Sequence, residues 1–465
     1  MSALWTSAEI VAATGGTLHG SPFAASGVAF DSRAVATGDL FVALAGTAAD
    51  GHGYVDGAFQ RGAAAALVSR EISARGPVVR VSDTSAGLTA LARAARRRSR
   101  ARVASVTGSV GKTSTKDALR AMLSPQGPTE ASAASYNNHV GVPVSLARLP
   151  AEARFGVFEI GMNHPGEIEP LARMVEADVG IVTNVAAVHI GHMGSEEAIA
   201  DEKACLFAGM RAGAVAVLNR DNRHYDRLAA HARRFGVTRI VDFGCDERAA
   251  ARLLACKVDD SGSDIEADIE GRSLRYRLGA PGEHLALNSV AALAAVHCLG
   301  ADVATAAAAL RGWSASPGRG ARRRLPWAGG GVELLDESYN ASPIAVRAML
   351  AVFARTLPGP SGRRILVLGD MRELGAHADA YHADLAPDVA RSGAALVFTC
   401  GPHMKSLADR LDARVRGAHE SDSAALAPVV VAALRPGDVV AVKGSLGSKM
   451  KTIVDALDQA SAGGR

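Results

Sequence analysis

Residues 103–114 read Val-Ala-Ser-Val-Thr-Gly-Ser-Val-Gly-Lys-Thr-Ser, and this stretch decides the fold. A short apolar, β-branched run gives way to two glycines, then to a lysine and two hydroxyl residues. A strand that enters a glycine turn and leaves it as a helix aims several backbone N–H groups and the positive end of a helix at one point. That arrangement cradles a phosphate. Thr107, Gly108, Ser109, Val110, Gly111, Lys112, Thr113 and Ser114 are therefore the expected nucleotide loop. Lys112 would reach the β- and γ-phosphates, and the Thr113 hydroxyl would ligate Mg²⁺. The strict Walker pattern has glycine where this chain has Val106, so the loop is a shortened variant whose first glycine is Gly108.

Downstream, apolar runs recur at Val157–Ile160, Gly180–Val185, Val215–Leu218 and Arg239–Phe243, with helical stretches between them. That alternation predicts a parallel sheet covered by helices. Ile265–Leu278 alternates about Glu270-Gly271-Arg272 and predicts an edge hairpin. Helices are expected over Ala286–Cys298 and Val303–Leu310. After a Pro- and Gly-containing break at Ser314–Gly320, apolar runs at Glu333–Leu335, Ile365–Leu368, Leu396–Thr399 and Val439–Val442 predict a second doubly wound unit. Upstream, strand-like runs at Leu40–Leu44, Ala64–Val68 and Val78–Val81 precede an Ala- and Arg-rich helix over 86–98. Thr6-Ser7-Ala8-Glu9 predicts a capping box at the start of a short helix. The expected fold is α/β in three domains. These are a small α/β N-terminal domain (1–85), a central P-loop NTPase-like parallel sheet (86–314) and a Rossmann-like C-terminal domain (315–465).

Composition narrows the partners. In 465 residues, 48% are hydrophobic and 21% charged, with a net charge of +4, so neither nucleic acid nor a membrane surface is expected as a partner. The basic runs Arg96–Arg102 and Arg322–Arg324 read as solvated faces. Five cysteines without a C-x-x-C pair predict a reduced, cytoplasmic chain, and no charged-then-apolar leader is read at the start.

Glu159 ends a predicted strand, His189 follows the next, and Lys203 lies on the helix after that. Alone, each would read as an ordinary solvated or loop residue. Beside a phosphate loop they become candidates for the catalytic and metal site. His189-Ile190-Gly191-His192 spells the HIGH signature of class I aminoacyl-tRNA synthetases. It sits mid-chain after the wrong strand, however, and Ser448-Lys449-Met450-Lys451 is not the loop that accompanies it in those enzymes. Neither G-x-G-x-x-G nor H-E-x-x-H occurs.

The shortened loop resembles the nucleotide motif of the Mur ligase family. The resemblance continues through Asn137–Pro143, Glu159–Glu167, Asp336–Pro343 and Leu368–Gly375. It implies the branch that adds D-alanyl-D-alanine to UDP-muramoyl tripeptide. The diaminopimelate-adding branch would carry Asp-Tyr-Ala-His-Thr-Pro where this chain has Asp336–Pro343. By the resemblance, Lys112, Glu159, His189 and Lys203 form the catalytic set, and Thr113, Glu159, His189 and Lys203 hold two Mg²⁺ ions. Lys203 does so as a carbamate formed with CO₂. Asn219, Asp221, His284, Asn288, Arg319 and Asp336 are implied on the ATP side. Ser32, Arg33, Gly46, Thr47, Asp50, His52 and Asn138 are implied around the UDP-sugar substrate, and Tyr339, Asn340 and Ser342 near the dipeptide. The family commonly has Asn at the position of Leu285 and an acidic residue at that of Cys205.

The implied chemistry is attack of a substrate carboxylate on the γ-phosphate of ATP, then attack of an amine on the acyl phosphate. The substrates would be small molecules acting on a cytoplasmic monomer. Two other readings stay open here: a folylpolyglutamate synthase-like ligase, and a P-loop ATPase switch or kinase without ligase activity.

Overall fold

A computed structural model describes residues 3–46 and 49–463. The stretch at 103–114 sits at its centre. The strand Arg102–Thr107 runs into the glycine loop, and the helix Lys112–Leu123 leaves it. This strand is an interior member of a nine-stranded sheet. The strand order is Arg272–Leu278, Gly262–Ile269, Ala251–Asp259, Arg239–Gly244, Val215–Asn219, Val179–Val182, Arg102–Thr107, Phe155–Glu159 and Thr129–Ala131. The six strands from Arg239–Gly244 to Thr129–Ala131 pair in parallel. The interior strands are buried on both faces, which is why they read as unbroken apolar runs. The hairpin expected over Ile265–Leu278 is present at the edge, paired in antiparallel register.

The strand Ala251–Asp259 joins that hairpin to the sheet and was not anticipated. Its short apolar run, Leu253–Cys256, lies between Arg252 and Lys257, and most of the strand is half-buried or exposed. The helix Glu283–Cys298 covers one face of the sheet and is buried over most of its length. It packs against the helix after the loop, and both contribute to one core with Val106, Val157, Ile181 and Val217. The opposite face is covered by the helices Ile168–Val175 and Glu196–Ala204.

The C-terminal sheet has the order Ala321–Trp327, Gly330–Glu337, Val439–Lys443, Arg364–Gly369, Leu396–Cys400, Arg416–Glu420. It is parallel except for the first strand, which forms an antiparallel hairpin. The doubly wound unit read from sequence is present, with an added antiparallel edge strand whose pattern Arg322–Arg324 masks. The N-terminal sheet of five strands pairs Thr17–His19, Val78–Arg80, Ala65–Val68, Asp39–Val42 and Gly27–Ala29. The capping box forms as read: Thr6 and Glu9 bond reciprocally at the start of Ser7–Thr14.

The helix Thr84–Arg98 serves two cores. Leu88, Leu91 and Ala95 join Trp5, Leu40 and Leu67, while Ala92 joins the central cluster. The N-terminal sheet is also tied to the helix Gly141–Ala147. Trp5 Nε1 donates to Ala147 O at 2.8 Å, and Arg148 Nε donates to Val28 O at 2.6 Å. The basic runs are corrected in part. Arg96 is only 1% exposed and donates to the carbonyls of Val175 and Glu176 at 2.7 and 2.8 Å, capping the end of Ile168–Val175. Arg322 bonds Asp260 O and Thr356 Oγ1, both at 2.6 Å. Among the described residues, no helix is long and apolar enough to cross a membrane.

Candidate active site

The glycine loop is held from one side by the segment that follows Val179–Val182. Thr183 Oγ1 donates to Val110 O at 2.5 Å, Ser109 N donates to Asn184 O at 2.8 Å, and Ser109 Oγ donates to Ala186 O at 3.0 Å. Gly108 lies at φ +152°, and a Cβ there would stand 2.0 Å from Thr183 Oγ1. Gly111 lies at φ +84°, where a Cβ would stand 2.8 Å from Asn288 Nδ2. Both positions therefore require glycine. Asn288 Nδ2 reaches Ser114 Oγ at 3.3 Å, so the helix Glu283–Cys298 braces the other side.

At the helix start, Lys112 Nζ folds back onto Gly108 O at 2.7 Å, and Thr113 Oγ1 donates to Glu159 Oε2 at 2.8 Å. Glu159 is fully buried at the end of its strand. Its other oxygen accepts from Asn137 Nδ2 at 2.7 Å. Sequence reasoning named the neighbouring Asn138 and gave no role to Asn137; Asn138 Oδ1 accepts from Gly141 N at 2.9 Å, just before the helix Gly141–Ala147. Lys116 was also missed. It is buried and holds the loop leading to Asn137 by donating to Ser132 O and Ala134 O at 2.9 and 2.8 Å.

Lys203 is buried, although it was read from a helix where lysines are usually solvated. Its ammonium makes no hydrogen bond or ion pair among the described residues. Burial, and then the neighbouring Lys112, push its amine well below the usual lysine range, and Glu202 opposes this. Glu202 itself points elsewhere and accepts from Gly166 N and Ile168 N at 2.8 and 2.9 Å. Burial also lowers Lys112, against the pull of Glu159 and with help from Arg319. Lys112, at the end of the glycine loop, suits phosphate oxygens. Thr113 and Glu159 offer the hard oxygen donors that Mg²⁺ takes. Among the described residues, no group of three or more His, Cys, Asp or Glu side chains could hold a metal by itself. Mg²⁺ bound largely through phosphates fits such a sparse donor set.

His189 starts the short helix Ile190–Met193 in a left-handed conformation, φ 62°. Its Nδ1 pairs with Glu373 from the C-terminal domain, and Gly191 N donates to Glu373 O at 3.1 Å. Glu373 was not anticipated, because a contact 184 residues away leaves no local signal. Asn219 is buried and donates to Thr183 O at 3.2 Å, behind the loop. Asp221 accepts from Cys245 N and Asp246 N at 2.7 and 2.9 Å. Leu285 is buried in the central core, which accounts for an apolar residue at that position.

From the C-terminal side, Arg319 reaches Ser135 Oγ at 2.6 Å and lies 4.3 Å over the ring of Tyr339. Asp336 is buried and fully engaged by Gly318 N, Ser338 N and Ser338 Oγ at 2.9, 3.1 and 2.6 Å, so it shapes the loop that carries Arg319. Ser342 caps the helix Pro343–Arg355, and Asn340 is exposed beside it. His284 is exposed at the start of its helix.

The N-terminal candidates stand apart from this cluster. Arg33 pairs with Asp31 at 2.7 Å, Ser32 opens the same turn, and Gly46 and Asp50 are exposed. His52 is corrected. It is buried, its Nδ1 meets Asp50 at 2.6 Å, and its Nε2 accepts from Ser69 N at 2.9 Å, so both ring nitrogens hold the loop. Thr47 lies outside the described residues.

Three stretches of the chain match family models. Residues 106–296 match the Mur ligase middle domain, 323–446 the Mur ligase glutamate ligase domain, and 24–98 the Mur ligase family catalytic domain. The chain is 32% identical to UDP-N-acetylmuramoyl-tripeptide–D-alanyl-D-alanine ligase of Escherichia coli, over 96% of each chain. It is 33% identical to the ligase of the same name from Synechocystis sp., over 92% of this chain and 90% of that one. Among solved structures, MurF from Acinetobacter baumannii superposes with a TM-score of 0.83 at 26% identity, covering 98% of this chain and 99% of that one. MurF from Thermotoga maritima in complex with ADP gives a TM-score of 0.76 at 25% identity, covering 94% and 98%.

Proposed function

This chain belongs to the Mur ligase family, and on that premise we propose how its site works as a UDP-N-acetylmuramoyl-tripeptide–D-alanyl-D-alanine ligase. The enzyme joins the dipeptide to the tripeptide carboxylate in peptidoglycan precursor synthesis, using ATP. The observation that carries the reading is the glycine loop with Lys112 at its end, Thr113 hydrogen-bonded to Glu159 at 2.8 Å, and a buried Lys203. The loop amides and Lys112 receive the β- and γ-phosphates. Lys112 then faces the charge that develops as the γ-phosphoryl group passes to the tripeptide carboxylate. Asn137 fixes the rotamer of Glu159, so its carboxylate stays aimed at Thr113.

Mg²⁺ would supply neutralisation of phosphate charge at this site. Thr113 and Glu159 would hold one ion, and His189 and Lys203 a second. Lys203 serves this role best as a carbamate. Burial without a partner favours its neutral amine, which is the form that reacts with CO₂, and the product is an anionic oxygen donor. Arg319, with Asn219, His284 and Asn288, borders the nucleotide. Ser32, Arg33, Gly46, Thr47 and Asp50 border the UDP-sugar, and Tyr339, Asn340 and Ser342 the dipeptide. The three parts of the chain, with limits near 85 and 314, would then each carry one substrate. Closure would shield the acyl phosphate from water. The enzyme works as a cytoplasmic monomer, in keeping with its nucleotide substrates and five free cysteines.

The test is phosphate release by the purified protein. Release should require ATP, UDP-muramoyl tripeptide and D-alanyl-D-alanine together, and single amino acids in place of the dipeptide should abolish most of it. Release without an amine would mark an ATPase switch instead. Activity with glutamate and a folate would move the chain to the folylpolyglutamate branch, with which the fold is shared.

A further inference from the structure

We propose that Arg372 binds the C-terminal carboxylate of the incoming dipeptide and so sets the requirement for a free acid at that end. The inference rests on the ligase reading above and names a residue which that reading does not use. Arg372 follows the strand Arg364–Gly369 at the carboxyl edge of the C-terminal parallel sheet, where ligands of such sheets bind. Its backbone N–H donates to Ser445 Oγ at 2.9 Å, and Ser445 Oγ lies 3.4 Å from Ala341 O. The loop bearing Arg372 is thereby fixed to the segment Tyr339–Ser342.

The guanidinium is also positioned. A Cβ on Gly447 would stand 2.9 Å from Arg372 Cδ and Nε and 3.1 Å from Cζ, so the side chain lies along the Gly447 backbone. Among the described residues, the guanidinium has no carboxylate or carbonyl partner. Neighbouring cations are engaged: Lys443 with Glu337 at 2.8 Å, Arg347 with Asp388 at 2.8 Å, and Arg319 with Ser135. Of the cations left without a partner here, Arg372 and Lys449, only Arg372 has the forked geometry that takes a carboxylate through two parallel bonds.

Its surroundings match the remainder of the ligand. Leu446, 63% exposed, lies between Ser445 and Gly447, and Ile344, 37% exposed, lies in the helix that starts two residues after Ala341. Large apolar side chains left open beside a free guanidinium suit a short peptide with one carboxylate and methyl side chains. The loop also borders the central domain. Glu373, the next residue, touches His189.

The test is a cycle that changes residue and ligand together. Ligation of D-alanyl-D-alanine and of its C-terminal amide is measured for the wild type, Arg372→Met and Arg372→Lys, with thermal melting as the check on folding. The wild type should prefer the acid by about 10- to 100-fold in kcat/KM, as for one charge-assisted contact. Arg372→Met should lose that preference by falling to the amide level on the acid alone, and Arg372→Lys should keep part of it. A wild type indifferent to the amide, or an Arg372→Met variant that keeps the full preference, would overturn the assignment. If Arg372→Met does not fold, Arg372→Lys decides: an undiminished preference counts against the forked contact. A wild type inactive on the dipeptide itself would instead overturn the ligase reading.

Discussion

Lys203 shows how much one residue's setting changes its meaning. In the sequence it is the last charge of a helix rich in Glu and Asp, where a solvated tip is the ordinary outcome. In the fold it is buried beside a second amine, with no carboxylate turned toward it. A bare ammonium there would repel Mg²⁺. At an effective dielectric of 20, two unit charges about 4 Å apart repel by roughly 4 kcal/mol, and a divalent ion doubles that. We therefore expect Lys203→Ala to lose most ligase activity and to recover part of it with millimolar acetate or formate, which can occupy the vacated space. Lys203→Arg should show no recovery, because the guanidinium keeps the charge and fills the space. A fully active Lys203→Ala enzyme would return this lysine to a structural role.

At the scale of elements, the loop between Arg102–Thr107 and Lys112–Leu123 depends on what lies beside it. Gly108→Ala should lower kcat/KM for ATP by at least about tenfold, since its Cβ would displace Thr183 Oγ1, which stands 2.0 Å away and bonds Val110 O. Gly57→Ala, in the helix Val55–Gln60 with nothing within 4 Å of the added Cβ, should leave kinetics unchanged and stabilise by roughly 0.5–1 kcal/mol. Equal kinetic effects from both would refute the argument from space.

The edge strand Thr129–Ala131 carries a different signal. Burial raises the Glu130 carboxyl to about 7, against Arg148 and Arg120, compared with 4.5 as its ordinary value. A folded pKa above the unfolded one means that the native state binds the extra proton more tightly. The stability this group contributes is therefore full below pH 4.5 and is lost as pH rises through about 7. Melting temperatures should show Glu130→Gln more stable than the parent at pH 8 and nearly equal to it at pH 5. A constant difference across that range would contradict the assignment.

Over the whole molecule, the central and C-terminal parts meet through few side chains near the site: His189 with Glu373, Arg319 with Ser135, and Ser316 with Asp117 at 2.9 Å. Glu373 is the one that reaches a proposed metal ligand. Glu373→Ala should loosen the arrangement without unfolding either part, seen as a larger radius of gyration by small-angle scattering in the absence of nucleotide. An unchanged radius would mean that the remaining contacts, including Gly191 N to Glu373 O, suffice to hold the parts together.

The sequence determined the features that depend on neighbours along the chain. The glycine loop, the helix after it, the buried parallel strands and the capping box at Thr6 are all local, because φ/ψ freedom at glycine, apolar runs and side-chain caps act within a few residues. The family resemblance came from the same local motifs strung along the chain. What stayed hidden was the set of strands interrupted by charged residues, Ala251–Asp259, Ala321–Trp327 and Arg416–Glu420, which their pairing partners more than their own composition make strands. Also hidden were the partners brought from afar. Asn137 fixes Glu159 across 22 residues, Glu373 meets His189 across 184, and Arg96 caps a helix 79 residues on. His52 and Asp336 were legible as polar residues in suggestive motifs, yet only the fold decided that their hydrogen-bonding capacity is spent inside the protein. Whether a polar side chain faces a ligand or the chain itself depends on which other groups reach it first, and packing at long sequence separation alone sets that.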